Sequence, residues 1–155
     1  MISLMVYDFD GVMTDNKVTV SEDGTESVVC NRSDGLGVKI ISALGIDQLI
    51  LSTETNRVVA KRAEKLRIDV IHGSFDKKTS LLAHCNSRDI ELIDVGYVGN
   101  DLNDLEAMKL CGRTFAPYDA HHLIKKWADH IMYSRGGEGV IREIAELLSN
   151  DIKRI

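Results

Sequence analysis

This sequence is poor in proline, cysteine and aromatic residues. It has one proline and three cysteines in 155 residues, and aromatic residues make up 5% of it. The cysteines (Cys30, Cys85 and Cys111) are odd in number and far apart. That pattern suits neither a disulfide framework nor a zinc site, and it favours a reducing compartment.

Long apolar runs and basic blocks are also missing. No apolar run approaches the roughly 18 residues of a membrane-spanning helix. The N-terminus passes directly into an apolar strand, without the basic region and cleavage site of a signal peptide. The formal net charge is −5, and no basic block favours nucleic-acid binding. We therefore expect a cytoplasmic protein that binds neither membranes nor nucleic acid.

What the sequence does contain is an alternation of strand-like and helix-like segments. Apolar residues make up 44% and charged residues 28%, and 155 residues fit one domain, 1–155, with a sizeable core. The alternation predicts an α/β fold with a doubly wound, mostly parallel sheet and helices on both faces. The strands are predicted at 2–9, 48–51, 69–71, 95–98, 113–116 and 131–133. The helices are predicted from a cap at Ser33 or Asp34 to Leu44, at 56–66, after Asp76, up to Cys111, after Asp119 and at 140–148.

A β-hairpin is predicted directly after the first strand. Two β-prone segments, 17–20 and 25–29, flank an Asp-Gly turn. The hairpin follows a pair of aspartates, so it could cover them as a flap, or it could be a plain edge hairpin. The segments after the first and second strands are too short to contain a cap domain.

The strongest chemical signal lies at the end of the first strand. The apolar run stops there at Asp8 and Asp10, which are followed by Gly11. A buried carboxylate costs roughly several kcal/mol unless it is paired or bound to a metal. Ligands bind at the carboxyl ends of parallel strands, so this pattern predicts a site for a hard cation. An ordinary Asp-Gly turn is the competing interpretation of this stretch alone.

Similar polar residues follow two other strands. Ser52 comes after the second strand, and Asn100, Asp101 and Asp104 come after the fourth, while Lys77 opens a helix between them. All of them are expected at one rim of the sheet. Such a set suits phosphoryl transfer through a carboxylate. That reaction needs a nucleophile, an acid/base, an oxygen-ligated cation, and a hydroxyl and a lysine for the phosphate.

These residues, in this order, resemble the four motifs of the haloacid dehalogenase superfamily of phosphatases. The matching segments are Asp-Phe-Asp-Gly-Val-Met-Thr at 8–14, Ser52, Lys77, and Gly-Asn-Asp-Leu-Asn-Asp at 99–104. The resemblance implies that Asp8 is the nucleophile and Asp10 the general acid/base. It also implies that Ser52 orients the phosphate and Lys77 binds it, with Lys78 as the adjacent alternative.

A narrower resemblance covers nearly the whole chain. The hairpin and the segments 52–54, 62–65 and 136–143 are similar to capless phosphatases of 2-keto-3-deoxy sugar acids. These act on 3-deoxy-manno-octulosonate 8-phosphate or on sialic-acid-type (acylneuraminate or KDN) 9-phosphates. The chain is equally similar to the phosphatase-like domain of some acylneuraminate cytidylyltransferases. The resemblance implies a small phosphorylated sugar acid as substrate, contacted by Thr14, Thr53, Glu54, Arg62, Lys65, Arg135 and Glu138.

One position departs from the family pattern. The usual metal-binding aspartate is Asn100 here. An asparagine can bind Mg²⁺ through its amide oxygen, but it adds no charge, and Asp101 or Asp104 could compensate. The resemblance implies Mg²⁺ as the cofactor, with Asp8, Asp10, Asn100 and Asp101 as candidate ligands. Asn100 also favours an alternative, in which the chain is a weakly active or inactive module that helps a sugar-acid cytidylyltransferase to assemble.

The glycine-rich segment near the C-terminus gains a role from the same resemblance. In the resembled family the protein is a homotetramer whose C-terminal segment reaches a neighbouring active site. Arg135 and Glu138 would then contact the substrate of a neighbour. The simpler interpretation is a helix N-terminus with a glycine lead-in.

Overall fold

Six strands form one parallel sheet with β1 near its centre. The computed structural model describes residues 1–152. Across the sheet the strands are β5 (Asp69–Ile71), β4 (Asp47–Leu51), β1 (Leu4–Tyr7), β6 (Val95–Val98), β7 (Arg113–Ala116) and β8 (His130–Ile131). All five strand pairings are parallel, so the predicted fold class is confirmed. The strand order reverses beside β1, which is where ligands bind in such sheets.

Helices cover both faces of the sheet. They are α1 (Arg32–Ala43), α2 (Val58–Leu66), α3 (Lys77–Ser87), α4 (Leu105–Met108), α5 (His122–Trp127) and α6 (Val140–Ile152). Met5 and Tyr7 of β1 pack into one core with α1, α2 and α6, whereas Leu4 and Val6 pack into the other with α3, α4 and α5. This alternation follows from the two-residue period of a strand. No helix within residues 1–152 is long and apolar enough to cross a membrane.

The predicted hairpin forms a separate two-stranded antiparallel sheet. It consists of β2 (Thr19–Val20) and β3 (Glu26–Ser27). The Nδ2 of Asn56 donates to Glu26 Oε2 at 3.1 Å, which connects the hairpin to the loop after β4. In the described chain, β1 and α1 are joined by residues 8–31, which contain a loop and this hairpin, and β4 and α2 are joined by the loop 52–57. The connections therefore leave the carboxyl end of the sheet without a cap domain.

The start of α1 differs from the prediction. Asn31 is the N-cap, and its side chain accepts from the amide of Ser33. Asp34, a predicted cap, is buried instead, and its Oδ1 accepts from the amide of Ile141 in the first turn of α6. The first amides of a helix have no partner within the helix. Asp34 therefore supplies a partner for α6 rather than for its own helix.

Other helix boundaries also differ from the predictions. His121 caps α5, not Asp119, whose Oδ1 accepts from the amide of Gly136. The helix α4 has only four residues and follows a 3₁₀ turn at Leu102–Asp104. At the end of the chain, α6 continues past the predicted end at Leu148 to Ile152. Residues 153–155 of the predicted domain lie outside the described part.

Candidate active site

A buried lysine joins two carboxylates at the carboxyl end of the sheet. Lys77 Nζ lies 2.6 Å from Asp8 Oδ1 and 2.7 Å from Asp104 Oδ1. All three residues are buried, with exposed fractions of 2%, 5% and 0%. Asp76 caps α3 and fixes its first turn, so Lys77 points into the site while Lys78 is exposed. The structure thus selects Lys77 over its neighbour.

The single positive charge of Lys77 does not neutralise both neighbouring carboxylates. Burial and the nearby carboxylate of Asp104 raise the pKa of Asp8 to about 7, against the lowering effect of Lys77. Burial lowers the pKa of Lys77, but its attraction to Asp8 and Asp104 outweighs burial and raises that pKa overall. One buried ammonium therefore faces two carboxylates. An additional cation near Asp8 would favour its ionised form.

Asp10 is held in place by Thr14. The Thr14 hydroxyl donates to Asp10 Oδ1 at 3.1 Å and accepts from the amides of Gly11 and Asn16. Burial raises the pKa of Asp10, although the hydrogen bond from Thr14 opposes this. A carboxyl with a raised pKa suits general acid/base chemistry. Thr14 is 0% exposed and its hydroxyl bonds Asp10 and the loop, and its predicted contact with the substrate stays a prediction.

Asp104 uses both carboxylate oxygens within the protein. Its Oδ1 accepts from Lys77 and from the Tyr97 hydroxyl at 3.0 Å. Its Oδ2 accepts from the amides of Asn100 at 2.9 Å and Asp101 at 3.3 Å. Asp104 is therefore occupied as a hydrogen-bond acceptor, and the idea that it compensates for Asn100 as a direct metal ligand is not supported.

The environment of Asn100 fits a cation. Its Oδ1 is buried and has no hydrogen-bond partner in the described structure, which is costly unless a ligand supplies one. Gly11 has φ +88, and a Cβ there would lie 1.9 Å from Asn100 Nδ2, so only glycine lets the two segments meet. No group of three His, Cys, Asp or Glu side chains within residues 1–152 could hold a metal. Asp8, Asp10 and Asn100 line the same cavity, and an amide oxygen beside two carboxylates is a kind of oxygen donor set that would suit Mg²⁺.

Most of the residues predicted to carry out catalysis or to bind the metal line one cavity. A cavity of about 380 Å³ is lined by Asp8, Asp10, Asn16, Ser52, Thr53, Asn100, Asp101 and Asn103. A second cavity of about 210 Å³ below the hairpin shares Asp10 and Asn16 with it and adds Glu26 and Glu54. The Ser52 Oγ accepts from the amide of Glu54 at 3.1 Å. The two cavities thus place Ser52, Thr53 and Glu54 near Asp8 or Asp10. They are also lined by three residues for which no role was predicted, namely Asn16, Glu26 and Asn103.

Arg62 and Lys65 lie elsewhere. They line a cavity of about 270 Å³ between α1 and α2 together with Arg32 and Lys39. The Arg62 Nη2 donates to the carbonyl of Asn31 at 3.0 Å. This basic cavity shares no lining residue with the two catalytic cavities. Within one chain, the two predicted contacts for the sugar acid therefore line a different cavity from the predicted nucleophile.

Arg135 and Glu138 are exposed in the segment before α6. The Arg135 guanidinium lies 5.4 Å from the ring of Tyr118. The amide of Gly137 donates to the carbonyl of Val12 at 3.0 Å, so this segment packs on the loop after β1 of its own chain. The contact with a neighbour's substrate stays a prediction.

Comparisons with known proteins identify the family to which this chain belongs. The family model for haloacid dehalogenase-like hydrolases matches residues 41–144. The 3-deoxy-D-manno-octulosonate 8-phosphate phosphatase KdsC of Yersinia pestis is 30% identical over 148 residues, which cover 95% of this chain and 79% of that protein.

Solved structures show the same likeness. A HAD family hydrolase from Streptomyces avermitilis is 44% identical with a TM-score of 0.91, covering 94% of this chain and 83% of that one. The 3-deoxy-D-manno-octulosonate 8-phosphate phosphatase of Moraxella catarrhalis, in complex with magnesium, phosphate and KDO, is 31% identical with a TM-score of 0.92. Coverage in that case is 96% of this chain and 86% of that one. The chain belongs to the haloacid dehalogenase-like hydrolases and, within them, to the family of the 3-deoxy-D-manno-octulosonate 8-phosphate phosphatases.

Proposed function

We propose that this protein is a Mg²⁺-dependent phosphatase of a 2-keto-3-deoxy sugar acid. The observation that carries the proposal is the buried Lys77, which joins Asp8 to Asp104 beside the unpartnered oxygen of Asn100. The substrate is an octulosonate 8-phosphate or a nonulosonate 9-phosphate. Relatives that act on 3-deoxy-D-manno-octulosonate 8-phosphate support this substrate class. We place the protein in the cytoplasm, as one catalytic unit over 1–155.

The residues divide the reaction between them. Asp8 attacks phosphorus and forms an aspartyl phosphate. Asp10, oriented by Thr14, protonates the leaving alkoxide and then removes a proton from the attacking water. Ser52 and Lys77 bind the phosphate oxygens and stabilise the charge that develops on them.

The Mg²⁺ ion would be held by Asp8, the backbone carbonyl of Asp10 and Asn100, with Asp101 near the cavity edge. It supplies positive charge between carboxylate and phosphate, which reduces their repulsion. The magnesium-bound relative from Moraxella catarrhalis supports this cofactor.

Phosphate release from a substrate panel tests the proposal. The panel holds an octulosonate 8-phosphate, a sialic-acid-type 9-phosphate, a hexose 6-phosphate and an aryl phosphate, each with Mg²⁺ and with a chelator. We expect Mg²⁺-dependent release that strongly prefers one keto-acid phosphate. We also expect Asp8→Asn, which removes the nucleophile but keeps the shape, to abolish that release while the protein stays folded.

Other outcomes on this panel contradict the proposal. Equal release from all four esters would indicate a phosphatase of an unrelated small phosphoester. Retained turnover in Asp8→Asn would exclude Asp8 as the nucleophile.

A charge at position 100 tests the metal site. Asn100→Asp adds a carboxylate where the structure shows an unpartnered oxygen, so Mg²⁺ should bind more tightly, by roughly tenfold for one added charge in a partly buried site. Calorimetric titration with Mg²⁺ alone measures this without turnover. Asn103→Asp is a matched control, since Asn103 lines the same cavity but is not proposed as a ligand. Equal tightening in both variants would argue against Asn100 as a ligand.

The basic cavity leads to a proposal about assembly. Arg62 and Lys65 have the charge that a sugar-acid carboxylate needs, but their cavity is separate from that of Asp8 in the same chain. We propose a homotetramer in which Arg62 and Lys65 of one copy bind the substrate of a neighbouring copy. In this arrangement Arg135 and Glu138 also approach a neighbour's site.

Mixing two inactive variants tests this arrangement. Asp8→Asn chains keep Arg62, and Arg62→Ala chains keep Asp8. In a mixed tetramer, some sites therefore combine an intact Asp8 from one chain with an intact Arg62 from its neighbour. We expect turnover to recover in about a quarter of the sites after equal mixing and reassembly. The control pairs Asp8→Asn with Ser52→Ala, whose altered residues line one cavity, and should recover nothing. No recovery in the first mixture would show that Arg62 does not complete a neighbour's site.

A second candidate function rests on Asn100. Replacement of a charged ligand by an amide favours a weakly active or inactive module that helps a sugar-acid cytidylyltransferase to assemble. No phosphate release from any ester in the panel, together with binding to such an enzyme, would support this function over hydrolysis.

A further inference from the structure

The hydroxyl of Tyr97 contacts the buried carboxylate of Asp104 in the candidate active site. Tyr97 lies on β6, is 0% exposed, and donates a 3.0 Å hydrogen bond to Asp104 Oδ1. We propose that Tyr97 is a positioning residue for phosphoester hydrolysis. Its hydroxyl sets the orientation of the Asp104 carboxylate, and through it the positions of Lys77 and of the Asn100 backbone.

Donors of the protein occupy the whole carboxylate of Asp104. A carboxylate offers about four lone-pair positions. In Asp104 they are taken by Lys77 Nζ, the Tyr97 hydroxyl and the amides of Asn100 and Asp101. Of these four donors, only the Tyr97 hydroxyl lies outside the catalytic residues and their loop.

The base of the Asp104 side chain is fixed independently. A Cβ on Gly99 would lie 2.6 Å from Asp104 Cβ, so the end of β6 packs directly on this side chain. The remaining freedom is rotation of the carboxylate, which is a broad torsion for aspartate. The hydrogen bond from Tyr97, which lies in the buried core, limits that rotation.

A rotated Asp104 would disturb both halves of the site. Its Oδ1 holds Lys77 at 2.7 Å, and Lys77 in turn contacts Asp8. Its Oδ2 holds the amide of Asn100, whose side chain carries the unpartnered oxygen. Partners that orient catalytic and metal-binding groups in this way typically contribute about 10- to 100-fold to activity or metal affinity.

Tyr7 provides a matched control for Tyr97. It lies on the adjacent strand β1, is also 0% exposed, and its hydroxyl donates to Gln48 Oε1 at 2.8 Å. Gln48 in turn donates to the carbonyl of Val38 and to Ser42, away from the catalytic cavity. Removal of either hydroxyl breaks one buried hydrogen bond. Of the two bonds, only that of Tyr97 is made to a residue of the candidate active site.

The experiment compares Tyr97→Phe with Tyr7→Phe. The inference rests on phosphoester hydrolysis and not on the sugar-acid substrate, so an aryl phosphate with Mg²⁺ is the probe. We expect Tyr97→Phe to lower kcat by about tenfold with less than about twofold change in KM. Tyr7→Phe should leave kcat unchanged, and both variants should lose a similar amount of thermal stability.

A double-mutant cycle tests the route through Asp104. In an Asp104→Asn background, whose folding is checked by its thermal transition, Tyr97→Phe should have no further effect on kcat. An undiminished tenfold effect in that background would overturn the route. An unchanged kcat in Tyr97→Phe, or an equal loss in both tyrosine variants, would overturn the positioning role.

Binding of orthovanadate keeps the test independent of the proposed activity. If the unmodified protein releases no phosphate, the proposed function fails, but vanadate with Mg²⁺ still reports the site geometry. Calorimetry should then show about tenfold weaker vanadate binding in Tyr97→Phe and unchanged binding in Tyr7→Phe. Equal binding in all three proteins would overturn the inference.

Discussion

The contact of Lys77 with Asp8 and Asp104 is the interaction on which the site depends. Two carboxylates lie 2.6 Å and 2.7 Å from one ammonium, and all three residues are buried at the rim of the sheet. Without that cation, two buried carboxylates would face each other, and loss of one partner of a buried ion pair costs about 3–5 kcal/mol. The three residues come from the loop after β1, from α3 and from the turn after β6, so the ion pair also joins these elements.

The parallel sheet determines which side chains meet, and acidic and basic side chains line different cavities. Because β4 and β6 flank β1 in parallel, three strand ends bring Asp8, Ser52 and Asn100 to one cleft. This cleft is acidic and rich in oxygen, as a magnesium site requires. The basic cavity of Arg62 and Lys65 lies between α1 and α2. One chain thus separates the groups suited to a phosphate with its cation from those suited to a carboxylate.

The sequence predicted the parts of the site that depend on local patterns. Polar residues after apolar strands identified Asp8, Ser52 and Asn100, because parallel strands gather their carboxyl ends at one rim. It could not predict contacts between distant segments, such as the hydrogen bond from Ile141 to Asp34. Nothing in the sequence indicated a role for Tyr97, because a tyrosine in a buried strand is indistinguishable from a core residue until the partner of its hydroxyl is known. The hydrogen bond from the Thr14 hydroxyl to Asp10 was likewise not predictable, because it depends on how the loop after β1 folds.

We propose that the phosphoryl group of the substrate passes through a covalent bond to Asp8. Rapid acid quenching during turnover with Mg²⁺, followed by mass spectrometry of the peptide that contains Asp8, measures this directly. The account predicts a phosphoryl group on Asp8 that appears before free phosphate reaches its steady rate and is absent when Mg²⁺ is removed. A phosphoryl group on another residue, or turnover without any such adduct, would contradict it.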